Sequence, residues 1–205
     1  MRARFCLRPA VAAAILTISN AASGGGLKVV EVAAPAINCV FDPSCTVTVS
    51  DSVGQIALQN LDKPNTVFLQ SRTFTGAPGT PAAGKTGYDY RLDMTQASGS
   101  LQCVAGIVIN FGPITQLPFK NNMPADVYVV TQGGFGTIGL ASAEQDDAVI
   151  TFTFAKLICP SEPNPANATF LIGLASAHPP KAITAGVFAT LKPPYYNAPA
   201  RAPKH

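Results

Sequence analysis

The stretch "YDYRLDM" at Tyr88–Met94 alternates apolar and charged side chains without interruption. Tyr88, Tyr90, Leu92 and Met94 fall on one side of an extended chain, and the three charged residues between them fall on the other. Strict alternation with a period of two is typical of a β-strand with one buried face. The stretch therefore predicts a strand whose tyrosine, leucine and methionine side chains face a hydrophobic core.

Strand-like runs recur along the rest of the chain. "VITFTFA" at 149–155 and "TVTVS" at 46–50 alternate in the same way. Further runs rich in β-branched and aromatic residues, which favour strands, lie at 27–32, 55–58, 66–74, 104–111, 126–131, 169–175 and 182–191. Turn-forming clusters such as "DSVG", "KNNMPA" and "HPPK" separate them. These features predict an all-β chain folded as a single β-sandwich, either immunoglobulin-like or jelly-roll-like.

The segment "IGLASA" occurs twice, at Ile138–Ala143 and at Ile172–Ala177. Shifting 138–157 by 34 residues onto 172–191 matches ten of twenty positions, and each copy reads as strand, polar turn, strand. An even shift keeps side-chain parity, so matched residues are expected to face matched sides. We therefore predict two similar consecutive β-hairpins, in which the small residues allow close backbone packing. A pair of equivalent binding edges is the functional alternative.

The N-terminus has the order of a secretory signal peptide. Arg2, Arg4 and Arg8 precede an apolar run from Ala10 to Ile18, and small residues follow. The run is shorter than the about 20 residues that a membrane-spanning helix needs. We therefore predict that residues 1–23 are a cleaved signal peptide, that the mature protein has no transmembrane segment, and that it is secreted into the periplasm or extracellular space.

The remaining chain divides into a body and a tail. Three of the 14 basic residues and none of the 11 acidic ones lie in the predicted signal, which leaves 11 of each. Nucleic-acid binding usually requires a concentrated basic face, and none is visible, so we do not expect this class of partner. Residues 24–191 are predicted to form the sandwich, and the proline-rich segment 192–205 is predicted to be disordered.

The four cysteines beyond the predicted signal are expected to form disulfides, as is usual in an exported chain. Cys39 and Cys45 are six residues apart and can close a local loop, which leaves Cys103 to pair with Cys159. A zinc site is the competing interpretation, but it would favour close C-x-x-C pairs, which are absent. We expect no cofactor and no dedicated metal site; the alternative is a composite calcium site that draws oxygens from the "EQDD" and "NCVFDPSC" segments, neither of which offers enough alone.

One segment matches a nucleotide-binding motif in letters only. "GTPAAGKT" at Gly79–Thr86 fits G-x-x-x-x-G-K-T, whose phosphate site needs a helix directly after the loop. Here the strand-like "GYDYRLDM" follows, so we interpret 75–87 as a flexible hairpin connection. Its length suits a contact surface.

Five residues are the candidate ligand contacts. Two lie in the "AGKT" end of the predicted connection, one follows in the next predicted strand, and two belong to the tail; they are Lys85, Thr86, Tyr88, Tyr195 and Tyr196. Exposed loop residues and sheet edges commonly carry binding function. We therefore predict a non-catalytic exported module with a structural, adhesive or binding role toward a protein or glycan, and it can oligomerise.

Two other functions compete with this prediction. A secreted hydrolase would use His178 with Asp146 or Asp147, and Ser142 or Ser176 would be its nucleophile, although no G-x-S-x-G elbow is present. A subunit of a larger extracellular assembly is the third alternative, with the repeated hairpins as its contact.

Overall fold

The computed structural model describes residues 25–58, 66–99, 103–160, 166–189 and 196–205. Two six-stranded β-sheets pack against each other, and a two-stranded hairpin and one short helix lie on the outside. The prediction of a single all-β sandwich is confirmed. The predicted signal peptide lies outside the described residues.

The first sheet is antiparallel throughout. In spatial order its strands are β1 (Gly25–Gly26), β10 (Leu140–Asp146), β11 (Val149–Ile158), β6 (Val104–Asn110), β13 (Pro180–Phe188) and β14 (Tyr196–Pro203).

The second sheet contains one parallel pair, formed by its first two strands. Its order is β2 (Val29–Ala33), β9 (Val127–Gln132), β12 (Leu171–Ser176), β5 (Thr86–Asp93), β4 (Phe68–Thr75) and β3 (Ser50–Gln55). The remaining elements are the helix α1 (Ala34–Phe41) and the hairpin β7 (Leu117–Lys120) with β8 (Met123–Ala125). The predicted strand at 46–50 contributes only its last residue to β3, and the run at 55–58 only its first.

The main core lies between the two sheets. Tyr88, Tyr90, Leu92 and Met94 are all fully buried in it, as the alternation of that stretch predicted. Burying one large apolar side chain stabilises a fold by about 1.5–3 kcal/mol, so these four residues of a single stretch contribute substantially to the core.

A second, smaller core covers the outer face of the second sheet. Helix α1 buries Ile37, Val40 and Phe41 there, and the ring of Phe41 lies 4.7 Å from that of Phe74 in an edge-to-face arrangement. The sequence pattern had not predicted this helix, which has only eight residues and no side chain capping its N-terminus. The apolar residues at 37, 40 and 41 lie on one helical face. Because so short a helix is not stable by itself, it forms where this face packs against the sheet.

The prediction of two similar hairpins is correct for the first copy and wrong for the second. Strands β10 and β11 form an antiparallel hairpin in one sheet, whereas β12 and β13 lie in different sheets. In β10, Gln145 and Asp146 pair with β11. The positions 34 residues later are Pro179 and Pro180, which have no backbone N–H to donate. The prolines disfavour an equivalent ladder, and the chain crosses to the opposite sheet.

The prediction of a disordered tail is also wrong for 196–203, which form β14. The strand pairs with β13 from Val187–Tyr196 to Pro180–Pro203, and it buries Ala198, Ala200 and Ala202 at alternating positions. Prolines are compatible with this strand because it lies at the edge of the sheet, where some backbone N–H groups need no partner. The sandwich therefore extends beyond 191, and of the predicted tail, residues 192–195 lie outside the described ranges.

Two disulfides and a set of hydrogen bonds from one arginine connect parts of the fold. The two predicted disulfides, Cys39–Cys45 and Cys103–Cys159, are both present. The Arg201 guanidinium on β14 reaches the second sheet, where it donates to the hydroxyls of Ser50 at 2.9 Å and Thr73 at 3.1 Å.

Within the described ranges, no helix is long and apolar enough to cross a membrane.

Candidate binding clefts beside helix α1

The segment that carries α1 and the first disulfide is held in place at its C-terminal end. The last carbonyls of a helix have no partner within the helix. Here the amide of Ala82 donates to the carbonyl of Val40 at 3.1 Å, and the amide of Ala77 donates to that of Phe41 at 2.7 Å. Residues 77 and 82 belong to the connection between β4 and β5, so this connection caps the helix.

The same contacts correct the prediction of a flexible connection. Within it, the Thr80 hydroxyl donates to the Ala77 carbonyl at 2.7 Å, the Gly76 amide donates to the Lys85 carbonyl at 2.8 Å, and Ala82 is fully buried. The strand β5 begins at Thr86, where a phosphate-binding loop would need a helix. The interpretation of "GTPAAGKT" as a motif match without nucleotide chemistry agrees with this geometry.

The disulfide loop after α1 is ordered by a carboxylate. Asp42 accepts hydrogen bonds from the hydroxyl and the amide of Ser44, at 2.5 and 2.8 Å. Those two bonds, with that of the hydroxyl the larger influence, hold the pKa of the Asp42 carboxyl below its usual value. The loop between Cys39 and Cys45 therefore has its own local structure in addition to the covalent closure.

A cleft, named the larger cleft, lies on one side of this segment. It has a volume of about 560 Å³ and is bounded by α1, by the turn between β7 and β8, and by the ends of β2 and β9. Volumes of roughly 300–1,000 Å³ are typical of small-ligand sites. Its apolar wall is formed by the buried side chains of Val32, Val40 and Phe119 and by three apolar residues that are exposed or partly exposed, Ala36, Pro81 and Pro118.

Six polar side chains surround the opening of this larger cleft. They come from the β2 strand, the β7–β8 turn and the end of β9, and they are Glu31, Lys120, Asn121, Asn122, Thr131 and Gln132. All are exposed or partly exposed. Within the part of the chain that the structure describes, none of these six side chains forms a hydrogen bond or an ion pair with another residue. They are therefore free to bind a ligand.

The smaller cleft, about 420 Å³ in volume, lies on the other side of the same segment. Its lining includes Asp42, Phe74 and several hydroxyl side chains, among them Thr86. Two of the hydroxyls, those of Ser50 and Thr73, already accept hydrogen bonds from Arg201. Part of this lining is therefore used to connect the two sheets.

The five predicted contact residues do not form one site. Lys85 and Thr86 are partly exposed at the start of β5, beside the smaller cleft. Tyr88 is fully buried, its hydroxyl donates to the carbonyl of His178 at 2.8 Å, and burial raises the pKa of its phenol to about 12. Tyr196 is partly buried against the main core on β14, and Tyr195 lies outside the described residues.

The residues of the hydrolase alternative also do not form a hydrogen-bonded catalytic group in the described ranges. Ser176 is fully buried, and its hydroxyl donates to the carbonyl of Pro113 at 3.1 Å. In the described ranges, no hydrogen bond joins the His178 imidazole to a serine hydroxyl or to Asp146 or Asp147. A nucleophile needs a base within about 3 Å and a third group that orients the base. The geometry therefore gives this alternative no support.

Metal binding receives no structural support either. Across 25–58, 66–99, 103–160, 166–189 and 196–205, no group of three or more His, Cys, Asp or Glu side chains could hold a metal ion. All four described cysteine sulfurs are in disulfides.

The outer face of strands β3, β4 and β5 carries a cluster of charged side chains that, unlike the polar side chains of the larger cleft, pair with each other. Arg72 pairs with Asp51 and Arg91 pairs with Asp93, both at 2.8 Å. Both guanidinium groups also lie over the exposed ring of Phe135, at 5.8 and 5.6 Å from its centroid. These groups contact each other, whereas the polar side chains of the larger cleft have no such partners.

A buried carboxyl lies beside this charged cluster. Asp89 is 7% exposed and accepts a hydrogen bond from the hydroxyl of Tyr128, whose ring passes over Gly173 of the intervening strand β12. Burial is the main cause that raises the pKa of Asp89, to about 6, while the hydrogen bond from Tyr128 and the charge of Arg72 oppose the rise. Asp89 is therefore a buried titratable group that the alternation of its strand did not predict.

The larger cleft was not predicted, because its residues leave only weak signals in the sequence. Glu31 interrupts the apolar run "LKVVEV", and the "KNNMPA" turn carries two adjacent asparagines. Comparison of the chain with protein-family models, with curated proteins and with solved structures finds no match of any of the three kinds.

Proposed function

We propose that this protein is an exported, non-catalytic binding module that holds its ligand in the larger cleft beside α1. One observation carries the proposal: six polar side chains from three separate elements surround a cleft with an apolar wall, and they have no partners among the described residues. Ligand sites commonly combine an apolar lining with a few convergent polar groups. The basic and apolar N-terminus and the two disulfides support an exported location.

The frame around the larger cleft supports binding without rearrangement. The Cys39–Cys45 disulfide, the capped end of α1 and the β7–β8 turn hold three of its sides. A preformed site loses less conformational entropy when it binds its ligand. This favours a binding role over a purely structural one.

A co-sedimentation assay tests the proposal. The protein from Gly24 onward is mixed with cell-envelope material and insoluble polysaccharides, and the bound fraction is compared for wild type and for Glu31→Gln with Gln132→Ala. The matched control is Glu144→Gln with Lys156→Ala, two exposed charged positions on the first sheet. We expect wild type and control to pellet and the cleft variant to remain in the supernatant. Equal pelleting of cleft and control variants, or no pelleting of wild type with any material, would contradict the proposal.

A further inference from the structure

We propose that the ligand of the larger cleft is a neutral carbohydrate, bound with ring hydroxyls on the polar side chains and a C–H face against the apolar wall. This inference rests on the proposed binding function and specifies its ligand class.

The hydrogen-bonding groups of the cleft match a polyhydroxylated ligand. Each sugar hydroxyl both donates and accepts, so a complementary site needs donors and acceptors interspersed. The amides of Asn121, Asn122 and Gln132 each supply both, and Thr131 adds a hydroxyl of the same dual kind. Amide side chains thus make up three of the six polar groups.

The charges of the cleft favour a neutral ligand over an anionic one. Glu31 and Lys120 are its two charged side chains, and their charges have opposite sign. An anionic ligand would meet the Glu31 carboxylate as well as the single ammonium group. Among the described residues that line the cleft there is no arginine, the residue that recognises carboxylate and phosphate with two parallel hydrogen bonds.

The apolar wall suits the non-polar faces of sugar rings. Val32, Val40 and Phe119 are 7%, 7% and 3% exposed and form the packed base of the wall, so the apolar surface that a ligand can reach comes from Ala36, Pro81 and Pro118. A pyranose ring exposes C–H groups on its faces and hydroxyls at its edge. An apolar wall surrounded by polar side chains is complementary to that distribution. The volume of about 560 Å³ accommodates a short saccharide rather than a single small ion.

The β7–β8 turn presents its two asparagines in a fixed geometry. Lys120 pairs with Met123 across the two-residue turn, and Asn121 and Asn122 have φ values of 53° and 57°. Positive φ at both central residues is typical of a type I′ turn, which asparagine and glycine favour. Because Asn122→Gly keeps the preferred turn chemistry, it removes one amide with little effect on the backbone.

Isothermal titration calorimetry with defined probes tests the ligand class. The probes are neutral hexasaccharides of glucose, mannose, galactose and N-acetylglucosamine, a hexamer of galacturonic acid, and an extended hexapeptide. We expect at least one neutral hexasaccharide to bind, and its affinity to be nearly independent of salt because no net charge is neutralised. We expect Asn122→Gly and Glu31→Gln each to weaken it about tenfold, the scale of one lost hydrogen bond to a buried or charged partner. Glu144→Gln should leave the affinity unchanged.

The outcomes separate this inference from the proposed function. If envelope material pellets the protein in a cleft-dependent way but no neutral hexasaccharide binds or competes, the carbohydrate inference is wrong and the binding function stands. Binding of only the acidic hexamer, with strong salt dependence, or of only the peptide also overturns the inference. If a hexasaccharide binds equally to wild type and to both cleft variants, and all have the same melting temperature, the cleft assignment itself fails.

Discussion

The segments Ile138–Ala143 and Ile172–Ala177 contain the same six residues, yet they lie in different surroundings. The last four residues of the first segment belong to β10, which is second from the edge of its sheet. There Ala141 is exposed and Leu140 is only partly buried. The second forms most of β12, a central strand whose residues Leu171–Ser176 are all buried. The isoleucine and leucine of both copies face the main core.

The difference arises from what covers the two faces of each strand. In β12 the outer face lies under the second core, where Leu171 and Ala175 pack with the residues of α1 and β7. In β10 a register shift between Leu140 and Ser142 interrupts the pairing and changes which side chains face inward after that point. The same residues therefore contribute differently to the free energy of unfolding in the two copies. Paired substitutions at matched positions measure this difference.

The largest difference is expected at the matched leucines. Leu174→Ala removes a fully buried side chain from the main core and is expected to lower the free energy of unfolding by about 4 kcal/mol. Leu140→Ala, at a partly buried position, is expected to cost about 1 kcal/mol. Urea unfolding followed by circular dichroism measures both. Equal losses would show that the central position of β12 does not make Leu174 more important to the main core than Leu140 is.

The matched glycines are expected to differ almost as much. A Cβ on Gly173 would lie 2.0 Å from the ring of Tyr128, whereas a Cβ on Gly139 would meet only Phe170, at 3.9 Å. Gly173→Ala should therefore displace the tyrosine ring and cost about 3 kcal/mol, while Gly139→Ala should change stability by less than about 0.5 kcal/mol. Urea unfolding tests the pair. A tolerated Gly173→Ala would mean that Tyr128 does not lie over β12.

The Asp89 carboxyl beneath Tyr128 is expected to make stability depend on pH. Its pKa is raised from 3.8 to about 6 in the folded state, so the folded protein binds more protons than the unfolded chain between these values. The contribution of Asp89 to the free energy of unfolding should therefore be largest below about pH 4. It should fall as the pH rises to about 6 and stay at the lower value above that pH. The loss should be on the order of 2–3 kcal/mol.

Asp89→Asn keeps an oxygen that accepts from Tyr128 and should abolish this fall. The exposed Asp146→Asn, at the end of β10, is the control and should retain it. The measurement is the free energy of unfolding in urea from pH 3 to pH 8. A slope in Asp89→Asn as large as in wild type would assign the titration to another group.

The smallest difference is expected at the matched serines. The Ser176 hydroxyl is buried and donates to the carbonyl of Pro113. Ser176→Ala should therefore cost about 1 kcal/mol, the net value of one hydrogen bond. Ser142 is partly exposed, and Ser142→Ala should be close to neutral. The shift in thermal midpoint distinguishes them, and a neutral Ser176→Ala would indicate that the carbonyl finds another donor.

Much of the fold could be predicted because its causes are local. The alternation at Tyr88–Met94 requires one buried face, and the six-residue spacing of Cys39 and Cys45 permits local closure. The turn "KNNMPA" combines residues that tolerate positive φ. The prolines at 179 and 180 also carried the information that breaks the second hairpin, but the match to the first copy concealed it.

The candidate site could not be predicted in the same way. Its polar residues come from positions 31, 120–122 and 131–132, far apart in the chain, and none belongs to a recognised motif. Of the five predicted contact residues, Tyr88 is turned into the core by the same alternation that identified its strand. Exposure depends on which face of a strand is covered, and an isolated stretch does not reveal this.

The sequence by itself determined most of the strands, the local Cys39–Cys45 disulfide and several turns, because backbone sterics, side-chain period and cysteine spacing act over a few residues. Only the tertiary structure decided which sheet each strand joins. It also decided that the tail is a strand and that α1 covers the outer face of the second sheet. These features depend on long-range burial: β14 is ordered by Ala198, Ala200 and Ala202 meeting the core and by Arg201 reaching the opposite sheet. No local pattern in a proline-rich segment specifies those partners.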